Sequence, residues 1–383
     1  MRARASMRAN DAARTFEDAS TTMPPARVAA LTPATQRSVE DLSHDIRRGT
    51  YDAKPPAVLA KRVAETLIQV VATADGRATL EEIIASVRAI GGSLAVLKRE
   101  HLLVGNVARR VLRVIRDEGA TSERGGGGGE SGGGGGGAAT KKLKKDVIDT
   151  AHEVIEEMET VSTNIASQSS DFVTNGCVVM TMGSNASAGT GLAEAFLRDA
   201  NKKRSASEGG GGFSVVVAES APRYDGHAMA KSLAERGVRD VSLICDSAVY
   251  ATMPSVKLCV LSARGVLADG SALVDSGAYN IALAAKAHSV PVLMLAGSYA
   301  ISPKTQKEAG FDRVYGFGSP STALGYGERG ADPDAVVINP SFEFVPAELI
   351  SVFVTDHGAH CPGFINVLLS EMYSPLDSAL LGV

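Results

Sequence analysis

The sequence predicts an α/β fold, with an N-terminal α-helical domain followed by a Rossmann-like domain built on a parallel sheet. From about Ser38 to about residue 169, apolar residues recur at intervals of three and four, the spacing of amphipathic helices. From Cys177 onward, short apolar runs alternate with helical stretches of about ten to fifteen residues, which is typical of βαβ units. We therefore expect a disordered arm over residues 1–35, a helical domain over 36–169 and the Rossmann-like domain over 170–383.

Composition argues against several classes of function. The 383 residues carry a net charge of −4, so the overall charge does not favour binding to nucleic acid. The sequence contains no run of about 18 uncharged apolar residues, so it does not predict a transmembrane helix. The four cysteines form no CxxC pair, so buried, reduced thiols in a cytosolic protein are favoured over a disulfide framework. The N-terminus is rich in Arg and Ala, as transit peptides are, but Asp11 and Glu17 favour a disordered tail.

The helical domain has start signals and one interruption. Pro55-Pro56 precedes one helical run, and Thr79 followed by Glu82 predicts a capping box ahead of the next. The nearly pure glycine tract from Gly125 to Gly137 predicts a disordered insertion at about residues 120–140. Lys141 to about Ser169 then reads as one long amphipathic helix.

Two charged stripes lie on these helices. The basic stripe is Arg109, Arg113 and Arg116, for which a solvated face is favoured and contact with an acidic partner is the alternative. The acidic stripe runs along the long helix, and its pattern alone also favours a solvated face. Its members are Asp146, Asp149, Glu153, Glu156 and Glu157.

The second domain is expected to alternate strands and helices. The predicted strands are Cys177–Thr181, Phe213–Ala218, Val241–Cys245, Leu258–Ser262, Pro291–Leu295 and Phe342–Val345. The predicted helices include Gly226–Glu235, Ala248–Met253, Tyr279–Ala287, Pro346–Val354 and Phe364–Tyr373. Between the first strand and a helix that opens at Leu192, the small-residue loop from Gly183 to Gly191 lies where open α/β sheets bind ligands.

Simple motifs give little support for chemistry. Gly189-Thr190-Gly191 lacks the third glycine of a dinucleotide-binding fingerprint, and there is neither a P-loop nor a GxSxG nucleophile elbow. His357, His360 and Cys361 lie together in HGAHCPG, but no second ligand cluster accompanies them. We therefore assign this segment to turn and packing roles rather than to a metal site.

A colinear set of segments carries a more specific signal. These segments are VVMTMGSN, VVVAESAPRYDGHAMA, ICDSAVYATM, VLADGSALVDSGAYNIALAAKAHSVPV and FEFVPAELISVFVTDHG. From about Thr163 onward the chain resembles the superfamily shared by the alpha, beta and delta subunits of translation initiation factor 2B and the methylthioribose-1-phosphate and ribose-1,5-bisphosphate isomerases. The segments GNVARRVLRVIRDEG, TVSTNIASQ and LLSEMYSP are similar to the beta-subunit branch in particular.

The resemblance places the isomerase active-site residues at positions that lack their chemistry. The catalytic Cys falls at Gly183, the catalytic Asp at Arg264, and an Asn-Lys pair at Val274-Asp275. A substrate-binding Arg falls at Ala221. The isomerases need a thiol and a carboxylate for acid–base work and cations for a phosphate, so the resemblance implies that catalysis is lost here.

Other positions of the crevice keep polar residues. We expect them to serve as helix caps and crevice hydrogen bonds, with no cofactor and no metal. They are Ser184, Asn185, Glu219, Asp246 and Asn280.

The resemblance implies a non-catalytic regulatory subunit of the guanine-nucleotide exchange factor for eukaryotic translation initiation factor 2. Such a subunit assembles with alpha, gamma, delta and epsilon subunits, most directly with delta, and binds the alpha subunit of the substrate factor. The resemblance then gives Asp146, Asp149 and Glu153 a role in that contact. Two alternatives stay open: an active sugar-phosphate isomerase of the methylthioribose-1-phosphate type, and a degenerate sensor of a sugar phosphate or nucleotide.

Overall fold

The computed structural model describes residues 31–52, 54–75, 78–125, 136–184, 191–206, 212–306, 316–325, 327 and 336–377. Most of the predicted N-terminal arm, the centre of the glycine tract, and Asn185 lie outside the described residues. Within them, an N-terminal set of helices precedes a domain of alternating strands and helices, which confirms the predicted fold class.

Two of the N-terminal helices have end residues whose local interactions explain where the helix begins or stops. Their bounds are α1 Pro33–Arg48, α2 Pro56–Thr73, α3 Leu80–Ala95, α4 Leu102–Gly125, α5 Gly136–Ser167 and α6 Ser169–Phe172. The predicted capping box is confirmed, because the Thr79 hydroxyl accepts a hydrogen bond from Glu82 N and the Glu82 carboxylate accepts one from Thr79 N. Helix α1 ends at Gly49, whose φ of 76° is the left-handed conformation that glycine adopts at little cost.

The strands form one nine-stranded sheet among the described residues, in the order β3-β2-β1-β4-β6-β8-β9 with β5 joining β4 to β7. The strands from β3 to β8 along this order run parallel, whereas β9 and the β5–β7 extension are antiparallel. The strand bounds are β1 Val178–Met182, β2 Ser214–Ala218, β3 Asp240–Ile244, β4 Leu258–Val266, β5 Ala272–Asp275, β6 Val292–Leu295, β7 Phe342–Val345, β8 Val352–Thr355 and β9 Gly358–His360.

Helices cover both faces of this sheet. Their bounds are α7 Leu192–Ala206, α8 Asp225–Glu235, α9 Val249–Thr252, α10 Ala278–Ala287, α11 Pro320–Ala323 and α12 Ile365–Met372. One apolar core joins the N-terminal helices, α7 and α8 to one face, through residues such as Val179, Val260 and Leu293. A second core packs α9, α10 and α12 on the other face, so the central strands are buried on both sides and are almost wholly apolar.

One predicted element is wrong. Pro346–Val354 forms a short 3-10 turn at Ala347–Leu349 followed by strand β8, rather than a helix. The β-branched Val352 and Val354 favour the strand, which pairs with β6. Strands β5 and β9 were also missed, whereas every other predicted strand and helix is confirmed with ends shifted by a few residues.

The cysteines depart in part from the prediction of buried thiols. All four are free, but only Cys177 and Cys259 are buried, while Cys245 and Cys361 are exposed. The last two lie just beyond the ends of strands β3 and β9, where the chain leaves the sheet. For Cys245, the apolar run therefore predicted the strand correctly but not the burial of the residue at its end.

Candidate functional site

The crevice lies at the carboxyl ends of β1, β2 and β4, and Gly183 follows directly after β1. A Cβ atom placed on Gly183 would stand 2.2 Å from Gly226 N and 2.3 Å from the carbonyl carbon of Asp225. Real Cβ atoms do not approach backbone so closely, so the first turn of α8 occupies the space that a side chain at position 183 would need. The hydroxyl of Ser220, in the loop after β2, donates a hydrogen bond to the Gly183 carbonyl at 3.2 Å and so joins this loop to the end of β1.

Arg264 and Asp275 form an ion pair at the centre of the crevice. Arg264 Nε lies 2.9 Å from Asp275 Oδ1, and the two side chains are 13% and 5% exposed. The guanidinium of Arg264 also lies over the ring of Phe342, 5.2 Å from its centroid, and Arg223 Nη2 approaches Asp275 Oδ1 at 3.7 Å. The side chains at two positions that the resemblance assigns to isomerase chemistry are therefore paired with each other by opposite charge.

The space beside this ion pair is small. A cavity of about 70 Å³ lies between the N-terminal helices and the sheet, and its walls include Met158, Ser184, Arg264 and Tyr299. It has room for about two water molecules, whereas sites for drug-sized ligands span about 300–1,000 Å³. Tyr299 is buried, and burial raises the pKa of its hydroxyl well above the ordinary value.

A larger polar pocket of about 290 Å³ opens on the far side of Arg264. It carries Lys98, His101 and Arg223 as well, which are side chains that could attract an anion. These side chains are already engaged, since Lys98 and His101 both contact the carboxylate of Asp52 and Arg223 Nε lies 2.9 Å from Asp225. The hydrogen bond with His101, followed by the contacts of Lys98, lowers the pKa of Asp52 to about 2.

The remaining crevice residues have different surroundings. Asp246 accepts hydrogen bonds from Ser220 N at 3.0 Å and Ala221 N at 2.8 Å, and so fixes the loop after β2. Glu219 lies 3.9 Å from His227 Nε2, and its charge raises the pKa of the Cys245 thiol.

The N-terminus of helix α10 is capped by a residue of another strand rather than by Asn280. Asn280 is exposed in the first turn of α10. The Glu343 carboxylate, from strand β7, instead accepts hydrogen bonds from Gly277 N at 2.8 Å and Tyr279 N at 2.6 Å. Sequence reasoning missed Glu343 because a cap supplied by another strand has no local spacing signal.

The basic stripe is not the solvated face that its spacing favours, because its three arginines donate to acceptors of the same chain. Arg109 is only 2% exposed, and its Nε donates to the backbone carbonyl of Asp377 at 3.1 Å. Arg116 donates to both carboxylate oxygens of Asp377, and Arg113 reaches the carbonyl of Tyr373. The stripe therefore holds the C-terminal segment of the same chain. No sequence spacing could indicate this, since about 260 residues separate the partners.

The acidic stripe divides into two parts. Asp149, Glu153 and Glu156 are exposed, and Asp146 is half-buried. None of these four forms an ion pair with another described residue. Glu157, in contrast, binds Arg110 and His357. The solvated-face interpretation therefore fits the first four members and fails for the fifth.

Together, the fold and the crevice define a class of protein, in which an N-terminal helical region packs on a Rossmann-like domain whose strand-end crevice is occupied by an internal ion pair. The model of the Initiation factor 2 subunit family matches residues 54–362, and the chain belongs to this family. The resemblance seen in the sequence is thereby confirmed.

Curated relatives include both beta subunits and isomerases. Translation initiation factor eIF2B subunit beta of Dictyostelium discoideum is 34% identical over 236 residues, which cover 62% of this chain but only 57% of that protein. The protein of the same name from Schizosaccharomyces pombe is 25% identical, with 90% of this chain and 98% of that protein covered. Ribose 1,5-bisphosphate isomerase of Archaeoglobus fulgidus is 31% identical over 60% of this chain and 68% of the isomerase.

Solved structures support the fold independently. The crystal structure of eIF2B beta from Chaetomium thermophilum superimposes with a TM-score of 0.71 at 22% identity, covering 91% of this chain and 94% of that one. A chain of the tetrameric eIF2B-beta2-delta2 complex of C. thermophilum gives a TM-score of 0.67 at 24% identity, with 88% and 95% covered. Separately, none of the described helices is long and apolar enough to cross a membrane.

Proposed function

We propose that this chain is a non-catalytic regulatory subunit, of the beta type, of the guanine-nucleotide exchange factor for eukaryotic translation initiation factor 2. The observation that carries the proposal is the crevice, where the Arg264–Asp275 ion pair and the backbone packed on Gly183 occupy, among the described residues, the positions that isomerase chemistry would need. The beta-subunit relatives support the choice of complex, since the S. pombe match extends over 90% of this chain.

The crevice argues against isomerase chemistry on two physical grounds. A thiol at position 183 would need the volume that Asp225 and Gly226 fill. A phosphate near Arg264 would compete for the guanidinium with the carboxylate of Asp275, which is only 5% exposed and lies 2.9 Å from Arg264 Nε. Purified chain should therefore not turn over methylthioribose 1-phosphate or ribose 1,5-bisphosphate, and turnover of either would overturn the non-catalytic assignment.

Assembly is the second part of the proposal. The partners are sister alpha, gamma, delta and epsilon subunits, with delta the most direct, in the cytosol. The name of the C. thermophilum beta2-delta2 complex supports delta as the partner of a similar chain. Affinity purification of the tagged chain from its own cells, followed by mass spectrometry, should recover delta in near-equal amount. Recovery of the chain without any sister subunit would contradict this part.

The exposed part of the acidic stripe is proposed to contact the alpha subunit of the substrate factor. Asp146, Asp149 and Glu153 project from one side of α5 without ion-pair partners among the described residues, so their charges are available to a basic surface. Exposed charges of this kind act mainly by steering and orienting the partner during association, so the binding affinity should fall as the salt concentration rises.

Charge reversal tests this contact. Changing Asp146, Asp149 and Glu153 together to Lys should weaken binding of the unphosphorylated factor by at least tenfold, about 1.4 kcal/mol, at physiological salt. A matched control reverses three exposed acids on other surfaces, namely Glu235, Asp240 and Glu348. Equal affinity of the two triple variants would remove the proposed contact and leave the stripe as a solvated face.

A ligand sensor is the second candidate, and the polar pocket of about 290 Å³ is the observation that favours it. Lys98 and Arg223 in this pocket are side chains that could bind the phosphate of a sugar phosphate or nucleotide, although each already contacts a carboxylate. A ligand selective for the native state must raise the melting temperature. A shift with a sugar phosphate or nucleotide that is absent in Arg223→Ala would favour the sensor, and no shift would remove it.

A further inference from the structure

A cluster of three potential metal ligands lies away from the crevice, where helix α5 meets the sheet. Glu157 comes from α5, while Asp356 and His357 form the turn between β8 and β9. His357 Nε2 lies 3.3 Å from Glu157 Oε1 and 3.7 Å from Asp356 Oδ2, and one ligand atom from each residue falls within 4.8 Å of the others. The two distances from His357 are close to the spacing of ligands on a single small cation, since tetrahedral ligands at about 2.1 Å from zinc lie about 3.4 Å apart.

In both Glu157 and Asp356, one carboxylate oxygen accepts a hydrogen bond that orients the group, and the other oxygen faces His357. Arg110 donates to Glu157 Oε2, which leaves Oε1 facing His357. Ser298 N donates to Asp356 Oδ1 at 2.7 Å. Orienting contacts of this kind are what the outer shell of a metal site supplies to its ligands.

The second oxygen of Asp356 is the observation that points to a ligand. The Asp356 side chain is only 2% exposed, yet Oδ2 has no hydrogen-bond partner among the described residues. A buried carboxylate oxygen without a partner is costly, and it faces the imidazole nitrogen of His357. His357 itself is 41% exposed, so an ion could enter from solvent and keep water at an open position.

The turn that carries two of the ligands is held firmly. Thr355 Oγ1 accepts a hydrogen bond from His357 N at 3.1 Å and donates to the carbonyl of Gly358 at 3.0 Å. Gln168 donates to the carbonyl of Thr355 at 2.7 Å, which ties this turn to the end of the N-terminal helices. These hydrogen bonds therefore fix the backbone of the turn that carries Asp356 and His357.

We propose that Glu157, Asp356 and His357 form a binding site for a divalent transition-metal ion of the zinc class. One imidazole and two carboxylates suit zinc or cobalt, whereas Mg²⁺ and Ca²⁺ favour oxygen ligands alone. The ion would neutralise two carboxylates that Arg110 and His357 balance among the described residues, and would join α5 to the sheet. A proton on the imidazole of His357 would compete with the ion, because the hydrogen bond to Glu157 raises the pKa of His357.

Metal titration of the full chain tests the site. After treatment with EDTA and its removal, the chain should bind one Zn²⁺, and one Co²⁺ should give the visible absorption of tetrahedral coordination. His357→Ala should weaken Zn²⁺ binding by about 100-fold or more, the upper end of what loss of an outer-shell partner costs. The melting temperature of the unmodified chain should rise with Zn²⁺ but not with Mg²⁺, since the ion binds only the folded arrangement.

Two further variants keep the test decisive. His152→Ala removes an exposed histidine on the same helix and should leave Zn²⁺ binding unchanged. Glu157→Gln keeps the shape of the side chain but removes its charge, and should weaken binding as His357→Ala does. Zn²⁺ binding that His357→Ala leaves intact, or a Co²⁺ complex without tetrahedral absorption, would overturn the proposal. So would a melting temperature that Zn²⁺ does not raise.

Discussion

Removing the carboxylate of Asp377 is the most direct test of how the two halves of the chain are joined. The side chain of Asp377 is fully buried, and Arg116 donates to both of its oxygens, at 2.8 and 3.0 Å. Arg88 binds the same carboxylate. Asp377→Ala would therefore leave two guanidinium groups without their acid.

The magnitude follows from burial. Breaking a buried ion pair by removing one partner costs about 3–5 kcal/mol. Arg88 and Arg116 are 35% and 24% exposed, so water can partly replace the lost acid, and we expect the free energy of unfolding to fall by roughly 2–4 kcal/mol. Asp377→Asn keeps an acceptor oxygen but not the charge, and should fall between Asp377→Ala and the unmodified chain.

Urea denaturation followed by circular dichroism measures this loss. Glu371→Ala is a suitable control, because it removes an exposed carboxylate from the neighbouring helix α12 and should change stability by less than about 0.5 kcal/mol. A double-mutant cycle with Arg116→Met should show coupling with Asp377→Ala, since the two residues share their hydrogen bonds. If Asp377→Ala cost no more than Glu371→Ala, the C-terminal segment would not be held by the basic stripe.

Three further predictions concern the crevice and its surroundings. Gly183→Cys should destabilise the chain by about 1–3 kcal/mol or more, measured by thermal melting, because its Cβ would meet Gly226 N, and it should restore no isomerase activity. Asp52 has a folded pKa of about 2, below the ordinary value of 3.8, so its contribution to stability is present above about pH 4 and should be lost as the pH falls toward 2. Asp52→Asn should remove that part of the pH dependence in acid-unfolding curves, and an unchanged curve would contradict it. Arg264→Asp alone should cost about 3–5 kcal/mol, and Asp275→Lys in the same chain should recover much of it by restoring a pair of opposite charges.

The order of elements could be predicted from the sequence because periodicity is a local property. The capping box at Thr79 and the apolar strand β1 are both short-range signals, and both are confirmed. Pro346–Val354 failed because short apolar runs suit a helix or a buried strand equally, and only pairing with β6 decides between them. Local pattern therefore specified most of the elements but not the partner of an ambiguous one.

The contacts of the candidate sites could be predicted far less well. The basic stripe is paired with Asp377, and Glu157 of the acidic stripe with His357, across long stretches of chain. A helical spacing shows which residues share a face, but not what that face meets. The HGAHCPG segment was likewise judged by its own residues, whereas the neighbours of His357 that matter include a glutamate on α5.

Arg264 and Asp275 show how the structure changes the meaning of a sequence difference. The resemblance places an acid and a lysine of the isomerases at these positions, so the sequence alone suggests two separate losses of chemistry. The structure joins the two residues in one buried ion pair, with the polarity of the isomerase charges reversed. Because an unpaired charge at either position would be costly, replacement of one favours compensation at the other. The interior of the crevice thus stays electrostatically balanced, as the proposed non-catalytic role requires.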